Sequence, residues 1–82
     1  MMTPDQLRAR LRRARADLGP GGGRFSVTFY EEEAQGGACS LMHWSRPDGA
    51  AVEACHEVAH GTLDVCLAAL DRYVAERRQP PA

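Results

Sequence analysis

Residues 56–60 of this 82-residue chain read His-Glu-Val-Ala-His, which is the spelling of a zinc-hydrolase motif. On a helix, histidines four positions apart share one face and bind one zinc ion, while the glutamate acts as general base on the metal-bound water. Catalysis at zinc also requires a third protein ligand and a helix that runs through both histidines. Whether this motif can bind a catalytic zinc ion therefore depends on whether residues 56–60 form a helix.

Gly61 and Thr62 follow this motif directly and are typical of the start of a new element. If residues 56–60 instead form a strand, His56 and His60 share a side but lie about 13 Å apart, which is too far for one metal ion. We keep a zinc hydrolase at this motif as a remote alternative.

A structural zinc site is a second metal hypothesis, because six side chains supply suitable ligand atoms: Cys39, His43, Cys55, His56, His60 and Cys66. Their spacing lacks the paired Cys-x-x-Cys units of zinc modules. Three cysteines at irregular spacing fit reduced, partly buried thiols better than a disulfide framework. We predict small core cysteines, histidines at the edge or surface, and neither a metal nor another cofactor.

Other catalytic patterns are weak. Ser26, Ser40 and Ser45 lack the glycine elbow that surrounds a nucleophilic serine. The glycines at 21–23 lack the lysine and the serine or threonine of a phosphate-binding loop. We predict that the protein is not an enzyme.

Two amphipathic helices are predicted near the ends of the chain. The first covers about 4–18, with Thr3 as its cap, Pro4 at its first position, and apolar residues that recur on one face: Leu7, Leu11, Ala14 and Leu18. The second covers 62–78, before a tail at 79–82, and its core face has the same spacing: Leu63, Cys66, Leu67, Leu70, Tyr73 and Val74.

Residues 24–59 read as a three-stranded meander. Phe25, Val27 and Phe29 alternate with polar residues in the first strand, and residues 38–45 form the returning strand after a polar loop. Residues 50–59 fit either a helix or a third strand, and we predict a strand. The predicted fold is one α+β domain in the order α-β-β-β-α, with both helices on one face of a three-stranded antiparallel sheet.

Charge is divided unevenly along the chain. Residues 1–24 hold six arginines against two aspartates, net +4, while residues 25–82 hold four arginines against nine acids, net −5. Arginines of the first helix, Arg8, Arg12 and Arg15 among them, could contact phosphates, although no aromatic residue is interleaved with them. A nucleic-acid-binding regulator is therefore the alternative to a protein-binding role, and attraction between the two halves explains the split equally well.

Two further groups are candidates for partner binding, together with the three arginines. Tyr30, Met42 and Trp44 are of types enriched at interfaces, and they could lie on the open face of the sheet. The equal alternative is that Trp44 turns into the core under the glycine-rich connector. An acidic run on a projecting loop could engage an arginine-rich partner or compete with nucleic acid for a basic groove: Glu31, Glu32 and Glu33. A sheet with one uncovered face could also pair with a second copy, so a homodimer stays open.

From Arg24 to about Arg78 the chain resembles HicB-like antitoxins and similar short phage and prophage proteins. The resemblance rests on the strands, the tight turn, the third strand, and Gly61-Thr62-Leu63 before an Ala/Leu-rich helix at 67–70. The element order is also similar to a double-stranded-RNA-binding domain, but residues 61–65 lack the lysine-rich helix start of that family. No binding residue is therefore carried over from it.

Our leading expectation is a non-enzymatic protein-interaction module. Its most specific form is an inhibitor of anti-CRISPR type from a phage or other mobile element, which binds a larger host complex and blocks its function. No run of residues approaches the roughly 18 apolar positions of a membrane span, and no cleavable leader pattern is present. We expect a cytoplasmic protein without a membrane partner.

Overall fold

The order of helices and strands follows the predicted pattern. A computed structural model describes residues 2–30, 38–46 and 52–78. Their elements are, in order, α1 (Pro4–Leu18), β1 (Arg24–Phe29), β2 (Cys39–Ser45), β3 (Ala54–Gly61) and α2 (Leu63–Arg77). The strands form one antiparallel sheet in the order β1-β2-β3. The predicted α+β fold is confirmed.

Local sequence sets the ends of α1. Thr3 and Gln6 form a reciprocal capping box: the Gln6 amide donates to Thr3 Oγ1 at 3.1 Å, and the Thr3 amide donates to Gln6 Oε1 at 2.8 Å. Pro4 occupies the first turn, where its missing N–H costs nothing. Gly19, with φ +79°, ends the helix.

The core lies between the helices and one face of the sheet. β1 and β2 contribute Phe25, Cys39 and Leu41. α1 contributes Ala14, and α2 contributes the largest share: Cys66, Leu70, Tyr73 and Val74. Because both helices pack on this same face, no described element covers the other one.

Phe29 is on the core side of β1 but is not buried. It pairs with Cys39 at the end of the strand and remains 60% exposed. Its ring lines an apolar groove with Leu7, Leu11 and Leu63, between the two helices and β1. The alternation of β1 therefore predicts the side on which Phe29 lies, but not how far the helices reach over it.

β3 contains a bulge that changes the direction of its side chains. Leu41 pairs with Ala59 and Met42 pairs with Glu57, so Val58 has no partner in β2. An extra residue in one strand reverses the alternation beyond it. The third strand is confirmed, although it runs two residues past its predicted end at residue 59.

The same bulge separates the two histidines of the H-E-x-x-H sequence. His56 pairs with His43 and points towards α2, where its Nε2 lies 2.9 Å from the Tyr73 hydroxyl. His60 pairs with Ser40 and points to the opposite face. The prediction that both histidines share a side of the strand is wrong, because Val58 adds a residue between them.

The three cysteines differ in accessibility. Cys39 and Cys66 are buried with their sulfurs 3.5 Å apart, as predicted for core cysteines. The same prediction is wrong for Cys55, which is exposed because it pairs with Trp44 on the sheet face opposite the helices. We expect iodoacetamide to label Cys55 alone in the native protein and all three thiols after unfolding in guanidinium, as counted by mass spectrometry. Labelling of Cys39 or Cys66 at the rate of Cys55 in the native state would contradict this packing.

Burial also makes stability sensitive to alkaline pH. Desolvation, with a contribution from the Cys66 thiol, raises the pKa of the Cys39 thiol from 9.0 to about 11. A group that binds its proton more tightly in the folded state stabilises the fold below its unfolded pKa, and this stability is lost as the pH rises. We expect the free energy of unfolding to fall between pH 9 and pH 11 in denaturant titrations.

Burial raises the pKa of Tyr73 as well, so part of the decline above its ordinary pKa of 10.0 belongs to this phenol. The variant Cys39→Ala isolates the thiol contribution: it should be less stable overall but lose stability less steeply from pH 9 upwards. Identical slopes for the variant and the wild type would show that Cys39 does not cause the decline.

Candidate functional site

The candidate site is the sheet face opposite the helices, which we call the open face. Strand pairing arranges its side chains in three rows across the sheet: Arg24, Trp44 and Cys55; Ser26, Met42 and Glu57; Thr28, Ser40 and His60. Tyr30 follows β1 and lies beyond the third row, where its amide donates to the Ala38 carbonyl at 3.0 Å. The face combines polar and aromatic side chains rather than forming a continuous apolar patch.

The register brings together three of the predicted partner-binding residues on the open face. Trp44 and Met42 are half-buried in adjacent rows, and Tyr30 is 43% exposed. The Tyr30 ring centre lies 5.7 Å from that of His60. The face therefore presents three large side chains along its length, with smaller polar residues between them.

Neighbouring polar groups hold the Trp44 ring in place. Its Nε1–H donates to Ser26 Oγ at 2.8 Å, and the Arg24 guanidinium lies over the ring, 5.1 Å from its centre. Arg24 in turn donates to Glu53 at 2.8 Å, and this hydrogen bond lowers the pKa of the Glu53 carboxyl. The Gly23 backbone passes so close to the Trp44 carbonyl that a Cβ there would lie 2.0 Å from its oxygen.

Ser40, Glu57 and His60 form a hydrogen-bonded cluster on the open face that the sequence analysis missed. Ser40 Oγ lies 2.8 Å from Glu57 Oε2 and 2.9 Å from His60 Nδ1. A carboxylate only accepts, so the Ser40 hydroxyl donates to Glu57 and accepts from the His60 Nδ1–H. No local sequence signal reveals this cluster, because only the bulge at Val58 places Glu57 and His60 on one face.

The arrangement of this cluster is not that of a nucleophilic serine. The imidazole of a catalytic triad accepts the serine proton and is oriented by the carboxylate. Here the proton of Ser40 points to Glu57, and the Glu57 carboxylate is 3.8 Å from His60 Nδ1. Ser40 is also only 1% exposed. The cluster satisfies a buried hydroxyl and fixes the two exposed side chains that cover it.

On the helix side, His43 is the centre of a second network. Its Nε2 lies 2.6 Å from the Gly22 carbonyl, which only accepts, so this nitrogen carries a proton. In the neutral ring Nδ1 then accepts from the Tyr73 hydroxyl at 2.6 Å, and Tyr73 accepts from His56 Nε2–H at 2.9 Å. His43 is 6% exposed and stacks on Phe25, with ring centres 4.7 Å apart. Its predicted place at the edge or surface is wrong, since the network satisfies both ring nitrogens inside the core.

The positions of its two histidines determine whether the H-E-x-x-H sequence can bind a metal ion. His56 and His60 lie on opposite faces of the sheet and hydrogen-bond to Tyr73 and Ser40 respectively, so one ion cannot bind both. Across the part of the chain that the structure describes, no three histidine, cysteine or acidic side chains gather in a geometry that could hold a metal. The motif spelling therefore does not build a zinc centre here.

The predicted arginines lie on exposed positions of α1. Arg8 is paired with Asp5 at 3.4 Å within the helix, whereas Arg12 and Arg15 make no ion pair with any carboxylate of the described ranges. Arg10 donates to both oxygens of Asp71, at 3.0 and 3.2 Å, and joins α1 to α2. The acidic run lies outside the described residues: Glu31, Glu32 and Glu33.

The function of this chain has to be inferred from its own geometry, because no similar known protein was found. A scan against family models, a search of curated proteins and a search of solved structures each return no match to the chain. The resemblance to HicB-like antitoxins therefore stays a prediction. Neither described helix has the length and apolar character needed to cross a membrane.

The helix-side network predicts how much stability the protein loses when the Tyr73 hydroxyl is removed. Tyr73→Phe removes the oxygen that bridges His43 and His56 and leaves Nδ1 of the buried His43 unpaired in the core, whereas the exposed His56 can bond to water instead. We expect a loss of about 1–3 kcal/mol in the free energy of unfolding, measured by guanidinium denaturation at pH 7. Tyr30→Phe, a change to an exposed phenol, is the control and should leave stability close to wild type. Equal stability of both variants would contradict the network.

Proposed function

We propose that this protein is a non-enzymatic, cytoplasmic interaction module that binds a protein partner through its open face. The observation that carries the proposal is the placement of both helices on one side of the sheet, with Tyr30, Met42 and Trp44 on the other. Tyrosine, tryptophan and methionine are enriched at protein interfaces. A face built only to be solvated would not need three such residues.

The dimensions of the open face suit the centre of an interface. From Arg24 to Tyr30 the first strand extends for about 20 Å at the usual rise per residue, and three strands add about 10 Å of width. Interfaces of standard size bury about 800 Å² on each partner. The open face supplies the central part of such an area, and the acidic run that follows Tyr30 in the sequence favours an arginine-rich partner.

Hydrogen bonds and stacking already connect several side chains of the open face in the absence of a partner. Ser26 and Arg24 orient the Trp44 ring, and Ser40 joins Glu57 to His60. Binding costs less when side chains need not be immobilised at the interface. The hydrogen-bonded cluster also places a carboxylate and an imidazole beside Met42, which would give a partner polar groups to recognise as well as apolar surface.

Two narrower forms of this proposal differ in the partner. An inhibitor of anti-CRISPR type would bind a larger host complex, and this form stays a prediction from the sequence. A homodimer would place a second copy on the open face. Light scattering after size-exclusion chromatography separates the two, because a mass near 9.0 kDa leaves the face free for another protein.

The double variant Tyr30→Ala/Met42→Ala tests the open face without changing charge. The matched control is Phe29→Ala/Val65→Ala, which removes two exposed apolar side chains on the helix side. Each tagged protein is used to capture partners from a lysate of the native host, with quantification by mass spectrometry. We expect a partner that wild type and control retain and that the open-face variant loses at least tenfold, as for a truncated interface centre. If every captured protein is retained equally by the open-face variant, or if none is captured, the proposal is wrong.

A further inference from the structure

A groove at the end of the sheet, where β1 and β3 begin and β2 ends, brings together charged and aromatic residues that are far apart in the sequence. It has a volume of about 440 Å³ and is lined by Arg15 from α1, by Arg24 and Trp44 from the sheet, and by Arg46 and Glu53. The glycine-rich connector at 19–23 forms another wall. We call this feature the basic groove.

The basic groove continues along α1. Arg12, Arg15 and Arg24 line an adjoining depression over Leu11 and Phe25. Arg12 and Arg15 are three positions apart on the helix, which puts them on one face within about 5 Å along its axis. The arginines therefore form a continuous track from the exposed side of α1 to the Trp44 ring.

The track carries an excess of positive charge. Four arginines line it, Arg12, Arg15, Arg24 and Arg46, and among the described residues Glu53 is the carboxylate that lines it with them, so these five side chains carry a net charge of +3 in a chain whose total is −1. Glu53 lies 2.8 Å from Arg24 and 3.9 Å from Arg46. One carboxylate is thus shared by two arginines, and Arg12 and Arg15 have no carboxylate within ion-pair distance in the described ranges.

Trp44 gives the basic groove a stacking surface. The sequence shows no aromatic residue among the arginines of α1, but the fold places Trp44 between Arg24 and Arg46 in the groove wall. The Arg24 guanidinium lies over the Trp44 ring, so a flat ligand would meet a layered platform of guanidinium and indole. Nucleic-acid bases stack on both kinds of surface.

The connector leaves room for a ligand to approach. Gly21 has φ +84° and nothing within 4 Å of the position that a Cβ would take, so at this residue the wall is backbone facing open space. A β-branched or bulky residue at Gly21 would be strained by its positive φ and would project into that space. A track of separate arginines beside one aromatic platform suits an extended, flexible chain, because such a chain can bring its phosphates to the arginines and a base to the platform.

We propose that the basic groove binds single-stranded nucleic acid. Arg12, Arg15 and Arg46 contact successive phosphates, and an unpaired base stacks on the Arg24–Trp44 platform. A basic track beside an aromatic platform is the common means by which proteins bind single strands without reading sequence. A paired duplex hides its base faces, and an acidic peptide would use the arginines but not the ring. This inference shares Trp44 with the open face but otherwise uses the end of the sheet and α1 rather than the Tyr30 and Met42 region, so it holds or fails separately from the proposed function.

The single tryptophan of the chain makes the test direct, because its fluorescence reports on Trp44 alone. The full chain is titrated with a twelve-nucleotide single-stranded oligonucleotide, its duplex and a polyglutamate peptide, at 50 to 200 mM NaCl. We expect the single strand to quench the fluorescence and to bind at least tenfold more tightly than the other two probes. Three phosphate contacts predict a slope of about −2 in log K against log salt concentration.

Two double variants with the same change in charge locate the site. Arg12→Gln/Arg15→Gln should weaken binding of the oligonucleotide at least tenfold at 50 mM NaCl and reduce the salt slope to about −0.7. The control variant Arg72→Gln/Arg78→Gln changes one exposed residue of α2 and the exposed residue that follows this helix. Its affinity for the oligonucleotide and its salt slope should both stay close to those of the wild type. Absence of quenching, equal loss in both variants, or equal affinity for the duplex or for polyglutamate would overturn the proposal.

The two proposals can fail separately. Tyr30→Ala/Met42→Ala should leave oligonucleotide binding unchanged, and Arg12→Gln/Arg15→Gln should leave capture of a protein partner unchanged. If Tyr30→Ala/Met42→Ala loses oligonucleotide binding, the nucleic acid does not bind in the basic groove and this proposal is overturned. That result would leave the proposed binding of a protein partner untouched.

Discussion

Val58, which has no partner in β2, controls how β3 divides its side chains between the two faces of the sheet. Because of this extra residue, Glu57 and His60 both point to the open face and reach Ser40 from either side. Three positions apart in a regular strand, they would point in opposite directions. His56 meanwhile points to α2 and Ala59 to the core. The bulge thus turns a sequence that spells a metal site into two separate hydrogen-bonded groups.

The helix-side group shows how polar residues can specify the core. His43 stacks on Phe25 and bonds through both nitrogens, and Tyr73 joins it to His56 while the Arg77 guanidinium lies 3.5 Å from the Tyr73 ring centre. Apolar contacts alone would tolerate small rotations of α2 against the sheet. Hydrogen bonds with fixed donors and acceptors tolerate them less, since a lost partner leaves a buried polar atom unsatisfied. The network therefore fixes the orientation of α2 as well as adding to its stability.

Features that depend on neighbouring residues were predictable, and features that depend on pairing between strands were not. Thr3, Pro4 and the spacing of Leu7 and Leu11 predict α1 to the residue, because capping and periodicity act within a few positions. The alternation in β1 likewise places Phe25 in the core. By contrast, alternation along a strand assumes unbroken pairing, so it could not foresee Val58 in a bulge. The burial of His43 also depends on Tyr73, thirty positions away.

In the folded chain, the basic first part of the sequence forms ion pairs with the acidic remainder. Arg10 pairs with Asp71, and Arg24 pairs with Glu53, so part of the positive excess of the first 24 residues is neutralised by the acidic remainder. These pairs are exposed and add little stability. The Arg24–Glu53 pair holds Arg24 above Trp44, while Arg12 and Arg15 have no carboxylate partner in the described segments. Trp44 consequently stands where the open face meets the basic groove, and its position depends on polar neighbours rather than on core packing.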